Sequence, residues 1–334
     1  MMGKSSSWVV VILVVLCLAT AVISVALRDF SGRSGSGLSE SYEYDLSQYE
    51  QIDPVLILYA QSAAFDTGLD PSVAIVIRGE ELFLAGESQI RIFDLSGRQK
   101  QEIPLELPPQ SLAVDESDSL WIAFVSHVEH YGRDGKRVAA WPPLDPKANL
   151  TSIAVGKDDV YLADAGNRIV LHYDRSGKLK NEIGRKDDNR QISGFVIPSP
   201  HFKLAIAPDG LLRVVNPGRH LIEAYTPRGD REFDWGSGAI RVDGFCGCCN
   251  PVAFAILSDG SFVTVEKGLV RVKVYDPQGQ FVGVVAGPEQ LTTSRDTKTI
   301  SAAFDVAVDA AGRIFVLDTL KDQVRVFGAK GKTP

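Results

Sequence analysis

Cysteine is scarce in this chain: four among 334 residues, one of them (Cys17) inside an apolar run near the start. So few thiols exclude a disulfide-dense scaffold, in which many bridges replace a core. Basic charge is in deficit, 35 Lys and Arg against 42 Asp and Glu, a formal charge of −7. Non-specific nucleic-acid binding rests on Lys and Arg neutralising phosphates, so no nucleic-acid partner is expected. G-x-S-x-G, P-loop, H-E-x-x-H and C-x-x-C-H signatures are all missing, which removes the enzyme and haem classes they mark. No segment keeps a helical hydrophobic period; the apolar stretches are short and either alternate or run continuously, as strands do. What is present is 45% hydrophobic residues in a chain long enough for a full core, with 30 Gly and 17 Pro.

Residues 8–27 form an uncharged run of twenty, WVVVILVVLCLATAVISVAL. As a helix it would be roughly 30 Å long, the thickness of a bilayer's hydrocarbon core. It reads as a signal anchor, or as a signal peptide cleaved near Ser24-Val25-Ala26. Either places the remainder outside the cytoplasm, periplasmic or extracellular: membrane-anchored if the run stays, secreted if it is cleaved. Residues 28–50 begin with the Gly/Ser-rich SGRSGSGLSES and read as a flexible stalk.

From residue 51 the chain repeats. Six times an aromatic residue precedes a turn glycine by four positions: Phe93/Gly97, Tyr131/Gly135, Tyr173/Gly177, Tyr225/Gly229, Tyr275/Gly279 and Phe327/Gly331. The glycines are spaced by 38, 42, 52, 50 and 52 residues. Each segment reads as a strand entering a hairpin turn, and apolar strands such as ELFLAG, VYLADA and RIFVLD precede them. Short strands repeating every 40 to 50 residues predict an all-β, six-bladed β-propeller. The sequence ends three residues after Gly331, too few for a fourth strand in blade six. An open ring would leave an exposed edge. The expectation is that an N-terminal strand near 54–60 closes the ring.

Blade three, VYLADAGNRIVLHYDRSGKLKNEIG, resembles an NHL repeat, with Asp164, Asn167 and Arg168 at positions of the family's "aD-x-x-N-x-R-I" stretch, here one residue shorter. NPGRHLIEAY and EKGLVRVKVY keep the framework but lose the Asp/Asn pair. The resemblance spans about residues 73 to 331. It implies an NHL-type propeller, a fold that hosts binding modules and unrelated enzymes alike. Of the related enzymes, the peptidyl-hydroxyglycine lyases use histidine ligands to a metal, and only His201 and His220 stand suitably for that.

Three connections are long, at 184–200, 236–251 and 287–301. In such a propeller they share one face with the turns between second and third strands, and long loops on a rigid scaffold are the usual seat of function. The segment FCGCCNP carries Cys246, Cys248 and Cys249, followed by Asn250 at the start of blade five. The thiols admit several states. One is a loop-locking disulfide, with C-x-x-C spacing if Cys246 pairs with Cys249 and a strained ring if Cys248 pairs with Cys249. Another is a zinc or copper(I) site, in which Cys246, Cys248 and Cys249 need a further ligand, with His201 the candidate. His201, His220, Cys246, Cys248, Cys249, Asn250, Glu266 and Lys267 are the candidate ligand-binding residues on the channel face. The leading expectation is a binding module for a protein or small-molecule ligand that needs no cofactor. The alternative is a metal- or thiol-dependent enzyme, lyase or redox, using the FCGCCNP loop.

Overall fold

The computed structural model describes residues 47–292 and 304–331. The run at 8–27, expected to form a membrane or signal helix, lies outside them, as do most of the stalk and part of the 287–301 connection. Among the described residues no helix is long and apolar enough to cross a membrane. The folded unit begins at Ser47, inside the expected stalk. Its first turn is a short helix, α1 (Ser47–Glu50).

Six four-stranded antiparallel sheets follow. Blade one holds β2 (Ser72–Arg78), β3 (Glu81–Gly86), β4 (Gln89–Asp94) and β5 (Gln99–Pro104). Blade two holds β6 (Ser111–Val114), β7 (Leu120–Ala123), β8 (Val128–Tyr131) and β9 (Arg137–Ala140). Blade three holds β10 (Leu150–Val155), β11 (Asp159–Asp164), β12 (Ile169–Asp174) and β13 (Leu179–Ile183). Blade four holds β14 (Leu204–Ile206), β15 (Leu212–Asn216), β16 (Leu221–Tyr225) and β17 (Arg231–Trp235). Blade five holds β18 (Ala253–Ile256), β19 (Phe262–Val265), β20 (Val272–Tyr275) and β21 (Phe281–Ala286). Blade six has β22 (Asp305–Val308), β23 (Ile314–Asp318) and β24 (Gln323–Ala329), and its outermost strand is β1 (Tyr59–Asp66). First strands touch round a ring, β2 against β6 and β22, β6 against β10, β10 against β14 and β18 against β22, so they line the axis.

The closing strand lies further along than 54–60. Pro54–Leu56 is a 3-10 turn, started by the Asp53 side chain accepting from the Val55 N–H. Pairing with β24 runs instead from Tyr59 to Asp66. The apolar run 55–59 misled the assignment because an outer strand is mostly exposed and needs few apolar residues; β1 is exposed at most positions.

The repeat signal has one physical cause. All six aromatics are buried in the third strand of their blade, and all six turn glycines have positive φ, between 78° and 89°. That conformation is open to glycine and costly for residues with a Cβ. In five blades the turn also presses on the neighbouring outer strand. A Cβ on Gly97, Gly135, Gly177, Gly229 or Gly279 would meet Phe65, Ile103, Trp141, Ile183 or Trp235. Phe65 of β1 thus does for blade six what the other outer-strand residues do for theirs.

Candidate functional site

Each second strand ends where the incoming connection crosses it, and a backbone N–H of that connection needs an acceptor. In blade three Asp164 Oδ1 accepts from Asn149 N (2.9 Å), and Asn167 Nδ2 donates to Asp164 Oδ2 (2.8 Å). In blade four Asn216 Oδ1 accepts from Val196 N (2.9 Å). In blade five Glu266 Oε1 accepts from Cys246 N (2.6 Å). Blades four and five lack the Asp/Asn pair in sequence but keep the acceptor.

Glu266 does more than this. Its carboxylate takes Arg271 Nε (2.7 Å), Arg271 Nη2 (3.0 Å) and Lys273 Nζ (3.0 Å), and all three side chains are essentially inaccessible to solvent. The two cations then reach into the 236–251 connection. Arg271 Nη1 donates to Ile240 O (3.1 Å) and Lys273 Nζ to Gly244 O (2.6 Å). Lys273 also lies 4.7 Å from the centre of the Phe245 ring. Burial, reinforced by the Arg271 charge and opposed by Glu266, pulls the Lys273 pKa down to about 8. The connection is therefore clamped to blade five from beneath by a buried ion cluster.

Asn250 fixes its far end. Asn250 Nδ2 donates to Cys246 O and to Lys267 O (3.0 Å), and Asn250 Oδ1 accepts from Lys267 N (2.9 Å). His220, at φ 60° in the blade-four turn, reaches across so that its Nε2 contacts Gly247 O. Asn250, Glu266 and His220 were candidate ligand residues; the structure uses all three to hold the loop. The first two are buried with their polar atoms engaged, and the His220 ring is spent on the loop backbone.

The cysteines divide. All three thiols are free. Cys246 sits over the ion cluster, where burial raises its pKa, with Arg271, Glu266 and Lys273 as its charged neighbours. Cys248 and Cys249 pair with each other, Sγ to Sγ 3.2 Å, Cys248 exposed and Cys249 buried. Burial opposes ionisation of Cys249. Hydrogen bonding from Ser199, Cys248 and Lys267, together with the Lys267 charge, outweighs it and lowers its pKa. The Cys248 pKa is raised, chiefly because its thiol bonds to Cys249. Of the two thiols, Cys249 is therefore the one that ionises first.

The expected metal set of Cys246, Cys248, Cys249 and His201 is not gathered: among the described residues no group of three or more His, Cys, Asp or Glu is placed to hold a metal ion. Cys246 is drawn down to the ion cluster while Cys248 and Cys249 turn to Lys267 and Ser199.

His201 and Lys267 do come together. Burial, then the charges of Lys267 and Lys203, drives the His201 pKa down to about 4, so the imidazole is neutral at neutral pH. Lys203 Nζ pairs with Asp305 Oδ2 (2.9 Å). Because Lys203 leads into blade four and Asp305 begins blade six, that bond passes blade five and spans the ring's inner space. The result is a channel mouth where Ser199, His201, Lys203, Lys267 and the Cys248–Cys249 pair share one end of the propeller.

Sequence reasoning missed Ser199, Lys203, Arg271 and Lys273. Two had a signal. Arg271 and Lys273 alternate in LVRVKVY, so both point to one face of a strand otherwise apolar, which requires a buried anion. Ser199 and Lys203 flank His201 in SPHFK and carry no signal beyond that.

No protein-family model matches the chain, and no curated protein matches it. Solved structures do. A protein of unknown function from Bacteroides thetaiotaomicron superposes with TM-score 0.58 at 13% identity, covering 81% of this chain and 72% of that one. Virginiamycin B lyase from Staphylococcus aureus gives 0.55 at 14% identity, covering 80% and 99%. The WD40 propeller domain of Doa1 gives 0.53 at 15% identity, covering 78% and 79%. At these identities the likeness shows the fold, an all-β six-bladed propeller, and the NHL family itself is not shown.

Proposed function

We propose that this chain is an NHL-type propeller, tethered outside the cytoplasm by its apolar N-terminal run, that binds a polar ligand at the channel mouth beneath the 184–200 and 236–251 connections. One observation carries the reading. The loops are clamped by groups whose bonding is satisfied, whereas Ser199 Oγ is buried beside the Cys249 thiol and makes no well-formed hydrogen bond, and Lys267 stands near the same thiol. A scaffold that is satisfied below and left polar above is built to meet something. The cationic, imidazole-bearing mouth suits a ligand with a carboxylate or phosphate group.

A panel of organic carboxylates and phosphates, screened by thermal shift on the full-length chain in detergent, tests this. A compound should raise Tm in the wild type and lose its effect in Lys267→Ala. Shifts equal in both, or none, would remove the mouth as the site. Location is tested by fractionation: the chain should sediment with membranes and be open to protease from the outer side, and recovery of the intact chain from the cytoplasm would overturn the tether.

A second reading is a thiol- or metal-dependent enzyme, and the Cys249 environment favours its thiol form. Metal analysis and thiol counting on the same preparation separate its forms. Stoichiometric zinc or copper lost in Cys248→Ser supports a metal site; free thiols without metal support thiol chemistry. The lyase among the similar structures lends this chain its fold and no activity.

A further inference from the structure

We propose that Cys248 and Cys249 form a two-thiol redox centre that a hydroperoxide oxidises to a disulfide between these neighbours. The proposal deepens the thiol reading above and rests on it. Of the pairings the three cysteines allow, only this one is made in the structure: the two sulfurs lie 3.2 Å apart. The roles are set by surroundings. Cys249 is buried against Ser199 and Lys267, whose hydroxyl and ammonium stabilise a thiolate. Cys248 is exposed, is the harder of the two to ionise and offers the route for a small oxidant. Ser199 Oγ is buried beside this sulfur and makes no well-formed hydrogen bond, so it is free to serve a thiolate there. Cys246 is held apart by its backbone bond to Glu266.

The chemistry balances. The Cys249 thiolate attacks one oxygen of the hydroperoxide and the O–O bond breaks. Cys249 becomes a sulfenic acid, and the departing alkoxide or hydroxide takes the proton that Cys249 released on ionising. The Cys248 sulfur then attacks the sulfenic sulfur, the S–O bond breaks, and the hydroxide leaves as water with the Cys248 proton. Each sulfur gives up one electron, and the two peroxide oxygens gain the two. The product closes a strained ring, and strained, exposed disulfides are the readily reduced ones, so a dithiol should restore the thiols.

The test is a titration of the full-length chain in detergent, reduced, desalted and given one equivalent of hydrogen peroxide. Two thiols per chain should disappear, the tryptic peptide 242–267 should become lighter by two hydrogens, and dithiothreitol should reverse both. Cys248→Ser should stop at a sulfenic acid on Cys249 that dimedone traps. Cys249→Ser should react about tenfold more slowly, at the rate of an ordinary thiol. Cys246→Ser should behave as wild type, and Lys267→Met should slow the first step while leaving far-UV circular dichroism unchanged. A disulfide that includes Cys246, or dimedone capture on Cys248 rather than Cys249, overturns the proposal. Because the readout is the protein's own sulfurs, it fails or succeeds apart from ligand binding at the mouth.

Discussion

The corners of blades three and five perform the same task with different means. In blade three Asp164 accepts the Asn149 N–H and its carboxylate is finished by local partners, Gly166 N (3.0 Å) and Asn167 Nδ2 (2.8 Å). The connection it holds is short. In blade five Glu266 accepts the Cys246 N–H, but the connection is long, and Arg271 and Lys273 are recruited to hold Ile240 and Gly244 as well. The difference teaches that lengthening a loop on a propeller face calls for more anchors, and that anchors made of buried charge depend on a single counter-ion.

The sharpest way to break the comparison is to neutralise each carboxylate without changing its shape. Glu266→Gln leaves two buried cations with no anion and should cost about 3–5 kcal/mol in urea denaturation. Asp164→Asn leaves no buried cation behind and should cost about 1 kcal/mol. Equal losses would mean that the ion cluster adds nothing to the common acceptor role.

The mouth above blade five should show itself in acid. The unfolded chain protonates His201 near pH 6.5, whereas the folded chain holds it at about 4. Between those values the unfolded state carries the extra proton, so stability falls as pH drops, by up to about 3 kcal/mol, and is unaffected above pH 6.5. His201→Asn should flatten that part of the stability curve. A slope unchanged by the substitution would place the proton uptake elsewhere.

Lys273 gives the opposite end of the pH scale. Folded, it loses its proton near pH 8; unfolded, near 10.4. In that interval the unfolded state again binds more protons, so stability should rise with pH, by roughly 2 kcal/mol between pH 8 and 10. Above pH 10 the raised pKa values of Tyr225 and Tyr275 act against it, because their phenols ionise only on unfolding. Lys273→Met should abolish the rise, and no counterpart should exist at the blade-three corner.

A modest effect belongs to Asn250→Ala, which removes the bonds to Lys267 and Cys246. It should cost about 1–2 kcal/mol and speed amide hydrogen exchange in the 236–251 connection while leaving blade three as it was.

Local sequence determined the propeller itself. An aromatic in a third strand followed by a turn glycine is a short-range pattern, repeated because each blade solves the same packing problem against its neighbour. The count of repeats also required a strand from the N-terminal side to complete blade six. Its position was decided by tertiary contacts, since Phe65 is identified as the closing residue only by where Gly97 presses on it. The candidate site divides in the same way. The loops, their common face and His201, Lys267 and the cysteines are visible as unusual residues in long connections. That Asn250, Glu266 and His220 hydrogen-bond to the loop backbone is visible only in three dimensions. Hydrogen-bonding capacity is spent between residues far apart in the chain, as between Arg271 and Ile240, 31 positions apart. The difference between Cys248 and Cys249 was set by Ser199 and Lys267, brought beside Cys249 from two other parts of the chain by the ring. A sequence fixes which groups are able to ionise or bond; the fold alone chooses their partners, and the partners set what each group can do.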